Sequence, residues 1–249
     1  MALVWSQRIE SNHYEVRRAG ATLRLYRNGV NHSQWNPNRP LSGCIWDLIT
    51  LPALHRPLGF VDDVLILGFG AGSVGRQLRD LVGPKRIVGI DFDPVHLTIA
   101  RDFFDCAEGC ELIAADASEW VRQSKEESVY DLIIDDLYGE SAGEPVRYAP
   151  MDRAWCAALV RLLRPGGMLV FNLVDPAVIP TLPLLVDPEL QQYFSHATVF
   201  HMDGYDNHVV VFTEVDLDAA CCAEQLRRII QQYPRCSGVG KRYHAYEVS

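Results

Sequence analysis

The sequence predicts an α/β protein: a mostly parallel sheet flanked by helices, preceded by a small β-hairpin appendage. Three observations predict it. From Val64 onward, uninterrupted apolar runs of strand length alternate with amphipathic segments of helical period, the pattern of a parallel sheet covered on both faces. The first three runs end in glycine or aspartate, in VLILGFGAG (64–72), RIVGIDFDP (86–94) and LIAADASEW (112–120). Ahead of them, HYEVRR and TLRLYR alternate apolar and polar residues as half-buried strands do.

Taken in order, those two alternating stretches are strands joined at Asn28-Gly29, a dipeptide that tolerates positive φ at both positions of a tight hairpin. HSQWNPNRP (32–40), with two prolines, reads as a loop, and LSGCIWDLITLPAL (41–54) as a helix ending near Pro57. VLILG, RIVGID, ELIAAD and YDLIIDD are buried strands; SVGRQLRDLV, PVHLTIARDFF and SEWVRQSK are the helices between them. MDRAWCAALVRLLRPGG is a helix stopped by Pro165-Gly166-Gly167, and GMLVFNLV is the fifth strand. TLPLLVDPELQQYF is helical in part, ATVFHM and NHVVVFTEV are strands, and DLDAACCAEQLRRIIQQY is a helix that opens on acids.

Composition narrows the class. With 249 residues, 48% apolar and 22% charged, the chain has the make-up of one generous globular domain or a domain with an appendage. A net charge of −9 speaks against a nucleic-acid binder, which would carry a basic stripe. No run of about 18 apolar residues predicts a membrane span, and the N-terminus lacks the pattern of a secretory signal. Seven scattered cysteines without a CxxC pair are expected to be reduced thiols in the cytoplasm, with Cys221–Cys222 packed in a helix. HMDGYDNH (201–208) matches no zinc spacing and reads as a turn between strands, so no metal is expected.

Ligands of an open parallel sheet sit beyond the carboxyl ends of its strands. Gly68, Gly70 and Gly72 end the first of these strands and let the backbone approach a ligand closely. Asp91 ends the second, where a carboxylate accepts both ribose hydroxyl protons. Asp116 ends the third, where an acid accepts an adenine amino proton and small Ala117 admits the flat ring. Each acid also reads as a helix cap, and Asp116 with Glu119 fits a capping box. All three in register with strand ends point to an adenosine-type ligand, S-adenosylmethionine or a close relative.

Residues 64–172, including LRPGGMLVFN, resemble a class I S-adenosylmethionine-dependent methyltransferase core, which implies a Rossmann-like, seven-stranded sheet. The N-terminal hairpin, HSQW and YDLIIDDLYGE together resemble the spermidine synthase family over roughly residues 20–215. That resemblance implies an N-terminal β appendage and linking helix over 1–55 and a cofactor-binding domain over 56–249. It implies S-adenosylmethionine or its decarboxylated form as cofactor, a small-molecule acceptor with amines among the candidates, and a homodimer. It also implies a glutamine after the hairpin on the cofactor: spacing from Gly29 selects His32, residue type selects Gln34, and Gln34 is preferred. His32 and Trp46 are then placed on the substrate, with core packing the other reading of Trp46.

The departures from the family are informative. Its first glycine loop carries an acid where Ala71 stands. Its acid–x–x–acid segment is matched by Asp136 at the first position but by Gly139 at the second, with Glu140 next door. Its N-terminal tyrosine is replaced near Ile45-Trp46-Asp47. Aminopropyl transfer needs an acidic groove and a base, so the resemblance shifts to the spermidine synthase-like methyltransferases, as DGYDNHVVVF with Asn207 also suggests. Asp136 is expected to orient the cofactor amine or act as base, with Tyr138 and Glu140 in a loop over the substrate. Methyl transfer is favoured over displacement at the amino-acid carbon of the sulfonium, by an amine or intramolecularly, and over non-catalytic binding.

Overall fold

In the computed structural model, which describes residues 1–141 and 144–248, with backbone alone at 140, 141, 144 and 145, a small antiparallel sheet docks on a larger α/β sheet. The small sheet runs β1 (Ala2–Ile9), β2 (Asn12–Ala19), β3 (Thr22–Arg27) and β4 (Val30–Trp35) in spatial order. Asn28 and Gly29 make the β3–β4 turn with φ of 51° and 86°. The loop expected from residue 32 begins later, because HSQW completes β4: Gln34 pairs with Arg24 and Trp35 with Leu23. Leu25 faces Ser33 while Tyr26 faces Asn31, so His32 is the extra residue of a β-bulge.

Helix α1 (Ile45–Thr50) runs into a 3-10 turn over Leu51–His55. It starts later than the expected Leu41 because Gly43 has φ 78°. Its Asp47 carboxylate instead takes the Ser42 and Gly43 N–H groups, at 3.3 and 2.6 Å. Asp47, 1% exposed, also accepts from Gln77 Nε2 (2.7 Å) and the Tyr243 hydroxyl (3.0 Å). Burial still holds its pKa above the ordinary carboxylate value.

The larger sheet follows as β5 (Asp63–Leu67), α2 (Ser73–Leu81), β6 (Arg86–Asp91), α3 (Pro94–Asp102), β7 (Glu111–Ala114), α4 (Ala117–Gln123) and β8 (Tyr130–Asp135). A hairpin of β9 (Tyr138–Ser141) and β10 (Glu144–Arg147) stands where a loop was expected. Then come α5 (Arg153–Leu162), β11 (Leu163–Leu173), the one-turn helices α6 (Pro183–Val186) and α7 (Pro188–Gln191), β12 (His196–Met202), β13 (His208–Thr213), α8 (Ala219–Gln232) and β14 (Tyr243–Glu247).

The order is β14-β12-β13-β11-β8-β5-β6-β7, parallel from β7 to β11 and antiparallel beyond. There are eight strands rather than seven because the largely exposed YHAYE segment adds β14 to β12. Along β5, Val64 and Ile66 pack on the side of the small sheet, and Leu65 and Leu67 on the side of α4 and α5. Strand order reverses between β5 and β8, which opens a crevice at their C-terminal ends.

Candidate active site

A cavity of about 420 Å³ lies in that crevice, within the roughly 300–1,000 Å³ range of small-molecule sites. Gly68 and Gly70 line it. A Cβ at Gly68 (φ 86°) would stand 2.2 Å from the Asp136 carbonyl oxygen, and one at Gly70 (φ 56°) 2.9 Å from Ser33 Oγ. The loop is therefore glycine because β4 and the β8 terminus press against it, as well as for access to a ligand. Gly72 caps α2 against Phe69 and Cys106 and is packed inside the protein. Ser33 Oγ accepts the Ala71 N–H at 2.8 Å, and Ala71 is fully buried.

Asp91, 6% exposed, is locked in place: Oδ2 accepts from Gly70 N–H (2.7 Å) and Oδ1 from Asp93 N–H (2.9 Å). Burial works to raise its pKa, but His96, 3.5 Å from Oδ1, and the two amides outweigh it and hold it below the ordinary value. An ionised carboxylate so held, with lone pairs facing the cavity, fits a vicinal diol. Ala117 lines the cavity. Asp116 caps α4 through Glu119 N–H (3.0 Å) and also accepts from the Tyr148 hydroxyl (2.6 Å), which depresses its pKa. Tyr148 in turn lies parallel to Phe92 at the rim, ring centroids 6.0 Å apart.

Asp136 lines the cavity at the end of β8. Burial pushes its pKa up to about 7, against the hydrogen bond from Asn172 Nδ2 (2.8 Å) and with help from the neighbouring Asp135 charge. Asn172 Oδ1 accepts from Asn207 Nδ2 at 3.0 Å, so two amides steady this carboxyl. Asp135 itself is tied to Arg147 (2.6 Å) and Trp155 Nε1 (2.7 Å). Tyr138 lines the cavity, but its hydroxyl donates to Asn172 O (3.0 Å) and accepts from Val174 N–H (3.1 Å). With both bonds to β11 and its end, Tyr138 is a wall rather than a free acid or base. Glu140 has its backbone in β9, and its side chain lies outside the described residues.

The small sheet closes the cavity. His32 lines it, and the bulge is what aims it there. The choice of Gln34 on the cofactor is corrected: its Oε1 accepts from Arg24 Nε (2.5 Å) and its Nε2 donates to Ser42 (3.0 Å), away from the lining. Trp46 lines the cavity at the start of α1 and is half-buried. Sequence reasoning missed Asn172, Arg27 and His96, all on the lining. Asn172 had a signal, an amide inside the apolar run GMLVFNLV; Arg27, beside a hairpin turn, reads like any surface arginine.

Residues 64–167 match a family described as a methyltransferase domain. A probable polyamine aminopropyl transferase of Bifidobacterium longum is 26% identical over 137 residues, 55% of this chain and 29% of that protein. Trans-aconitate 2-methyltransferase of Escherichia coli O157:H7 is 28% identical over 166 residues, 65% of this chain and 60% of its own length. The crystal structure of a probable spermidine synthase from Corynebacterium glutamicum superposes with a TM-score of 0.70 at 17% identity, covering 92% of this chain and 88% of that one. The chain spans less than a third of the length of the aminopropyltransferase relatives it matches. Residues 64–167 thus match a methyltransferase domain, the chain as a whole has the fold of the solved spermidine synthases, and it is similar both to polyamine aminopropyltransferases and to a methyltransferase.

Proposed function

We propose that the chain is an S-adenosylmethionine-dependent transferase that methylates a small molecule. The cofactor, when bound, supplies an electrophilic carbon on a sulfonium leaving group, so the chain's task is alignment and proton handling. In this reading Asp91 takes the ribose hydroxyls, Gly68 and Gly70 let the backbone approach, and Ala117 admits the base beside Asp116 and Tyr148. Asp136, with a pKa pushed up to about 7, holds or takes the acceptor's proton while Asn172 and Asn207 fix its orientation.

The observation that carries methyl over aminopropyl transfer is what surrounds Asp136. A polyamine needs acids along its ammonium chain. Here Gly139 brings no side chain to the wall, Ala71 is sealed beneath Ser33, Asn207 beside Asn172 is neutral, and the small sheet adds Arg27 and His32. The second reading, displacement at the amino-acid carbon, is supported by the aminopropyltransferase relatives and by Asp206 on the cavity lining. Incubation with S-adenosylmethionine, with and without a polyamine, separates the two by the mass of the nucleoside released. S-adenosylhomocysteine supports methyl transfer, methylthioadenosine supports displacement, and unchanged bound cofactor supports a binder. Seven free thiols favour a reducing cytoplasm. The homodimer is tested by light scattering of the purified chain.

A further inference from the structure

The wall contributed by the small sheet holds polar atoms that the fold leaves without partners. Arg27, at the end of β3, lines the cavity with its side chain 16% exposed. Its Nε is buried with no hydrogen-bond partner. Its one ion pair among the described residues is to Asp93, 3.9 Å from Nη1 and beyond hydrogen-bond range. Asp93 is already engaged by the Tyr14 hydroxyl (2.7 Å) and by Val95 N–H (2.9 Å). Nε2 of His32 and of His96 are also buried without a hydrogen bond among the described residues, His96 Nε2 lying 3.7 Å from Asp93, and the two rings are 5.2 Å apart. Buried donors left open in this way cost stability unless a ligand completes them.

We propose that Arg27, with His32 and His96 beside it, forms a subsite for a carboxylate-bearing ligand. The inference rests on the cofactor reading of the same cavity, and the carboxylate has two sources: the amino-acid tail of S-adenosylmethionine or the acceptor. A guanidinium pairs a planar carboxylate through two parallel N–H bonds. Asp91 and Asp93 stand close by, which suits a single negative charge better than the double charge of a phosphate. Burial, with His96 and Arg27 beside it, pushes His32 down to about 4, so at neutral pH it adds no charge of its own.

The test is calorimetric titration of the full chain, wild type, Arg27→Met and Arg27→Lys, with S-adenosylmethionine, with its decarboxylated form and with succinate. If the cofactor supplies the carboxylate, the wild type prefers the intact form by about tenfold or more. Arg27→Met then erases that preference without weakening the decarboxylated form, and Arg27→Lys retains part of it. If the acceptor supplies it, the two nucleosides bind alike in all three proteins. Succinate then binds the cofactor-loaded wild type and about tenfold more weakly to Arg27→Met. Absence of both effects overturns the subsite, as does an equal loss for both nucleosides in Arg27→Met. Should neither nucleoside bind the wild type, the cofactor reading fails; succinate titrated into the free protein still reports on Arg27. The wild-type preference and wild-type succinate binding need no variant, so poor folding of Arg27→Met leaves the proposal exposed to refutation.

Discussion

The two walls of the cavity differ in how completely their polar atoms are satisfied. On the strand-end wall, each Asp91 oxygen meets a main-chain amide and Asp136 is held by Asn172, while Asp116, off the lining, meets Glu119 N–H and Tyr148. Across the cavity, Arg27 Nε and His32 Nε2 of the small sheet, with His96 Nε2 of α3 beside them, have no hydrogen-bond partner among the described residues. A wall satisfied before any ligand arrives is rigid and suits the part of a ligand that never changes, here the nucleoside. A wall with open donors gains its bonds only from what it binds, so discrimination resides there.

The largest expected effect is on the satisfied wall. Gly68→Ala would drive a Cβ onto the Asp136 carbonyl at a φ of 86°. It is expected to lower stability by about 3 kcal/mol or more, a fall of roughly 6–12 °C in a thermal melt. Asp91→Ala removes the diol acceptor and frees two amides; cofactor affinity is expected to drop about 100-fold by calorimetry, and an unchanged affinity would dismiss the ribose assignment.

Asp136→Asn is expected to leave cofactor affinity within a few-fold while turnover falls about 100-fold. Its stability effect has the opposite sign. The folded pKa, about 7, lies above the ordinary value, so the wild type loses stability as pH rises between about 4 and about 7. The asparagine variant lacks that loss and should be the more stable protein at pH 8, on the order of 2–4 kcal/mol in urea unfolding. Wild-type turnover should climb through pH of about 7 if Asp136 takes the proton. The smallest effects compare neighbours on β4. His32→Ala should weaken ligand binding several-fold, whereas Gln34→Ala should leave binding intact and cost about 1 kcal/mol of stability. Equal behaviour of the two would erase the distinction between the walls.

The strand-end wall was legible in the sequence because its causes are local. Continuous apolar runs forced β5, β6 and β8, and the residues ending them had to be Gly68, Asp91 and Asp136. The other wall is built by tertiary contact. The bulge that turns His32 inward reads as loop in HSQWNPNRP, and residue type pulled the assignment toward Gln34 although spacing from Gly29 selected His32. The exposed strand YHAYE buries too little apolar surface to show a period. Arg27 carries no mark of being unpaired until the cavity closes around it.

The buried Asp47 has a consequence beyond its hydrogen bonds. It fastens β14, through Tyr243, to the helix whose first residues Ile45 and Trp46 line the cavity. Two segments 196 residues apart in the sequence therefore bear on one pocket. Trimming the tail before Tyr243, or crowding it with a fusion partner, is expected to register in an assay as weakened ligand affinity, although no ligand contact would have been deleted. Engineering at Tyr243 amounts to tampering with this cavity from behind.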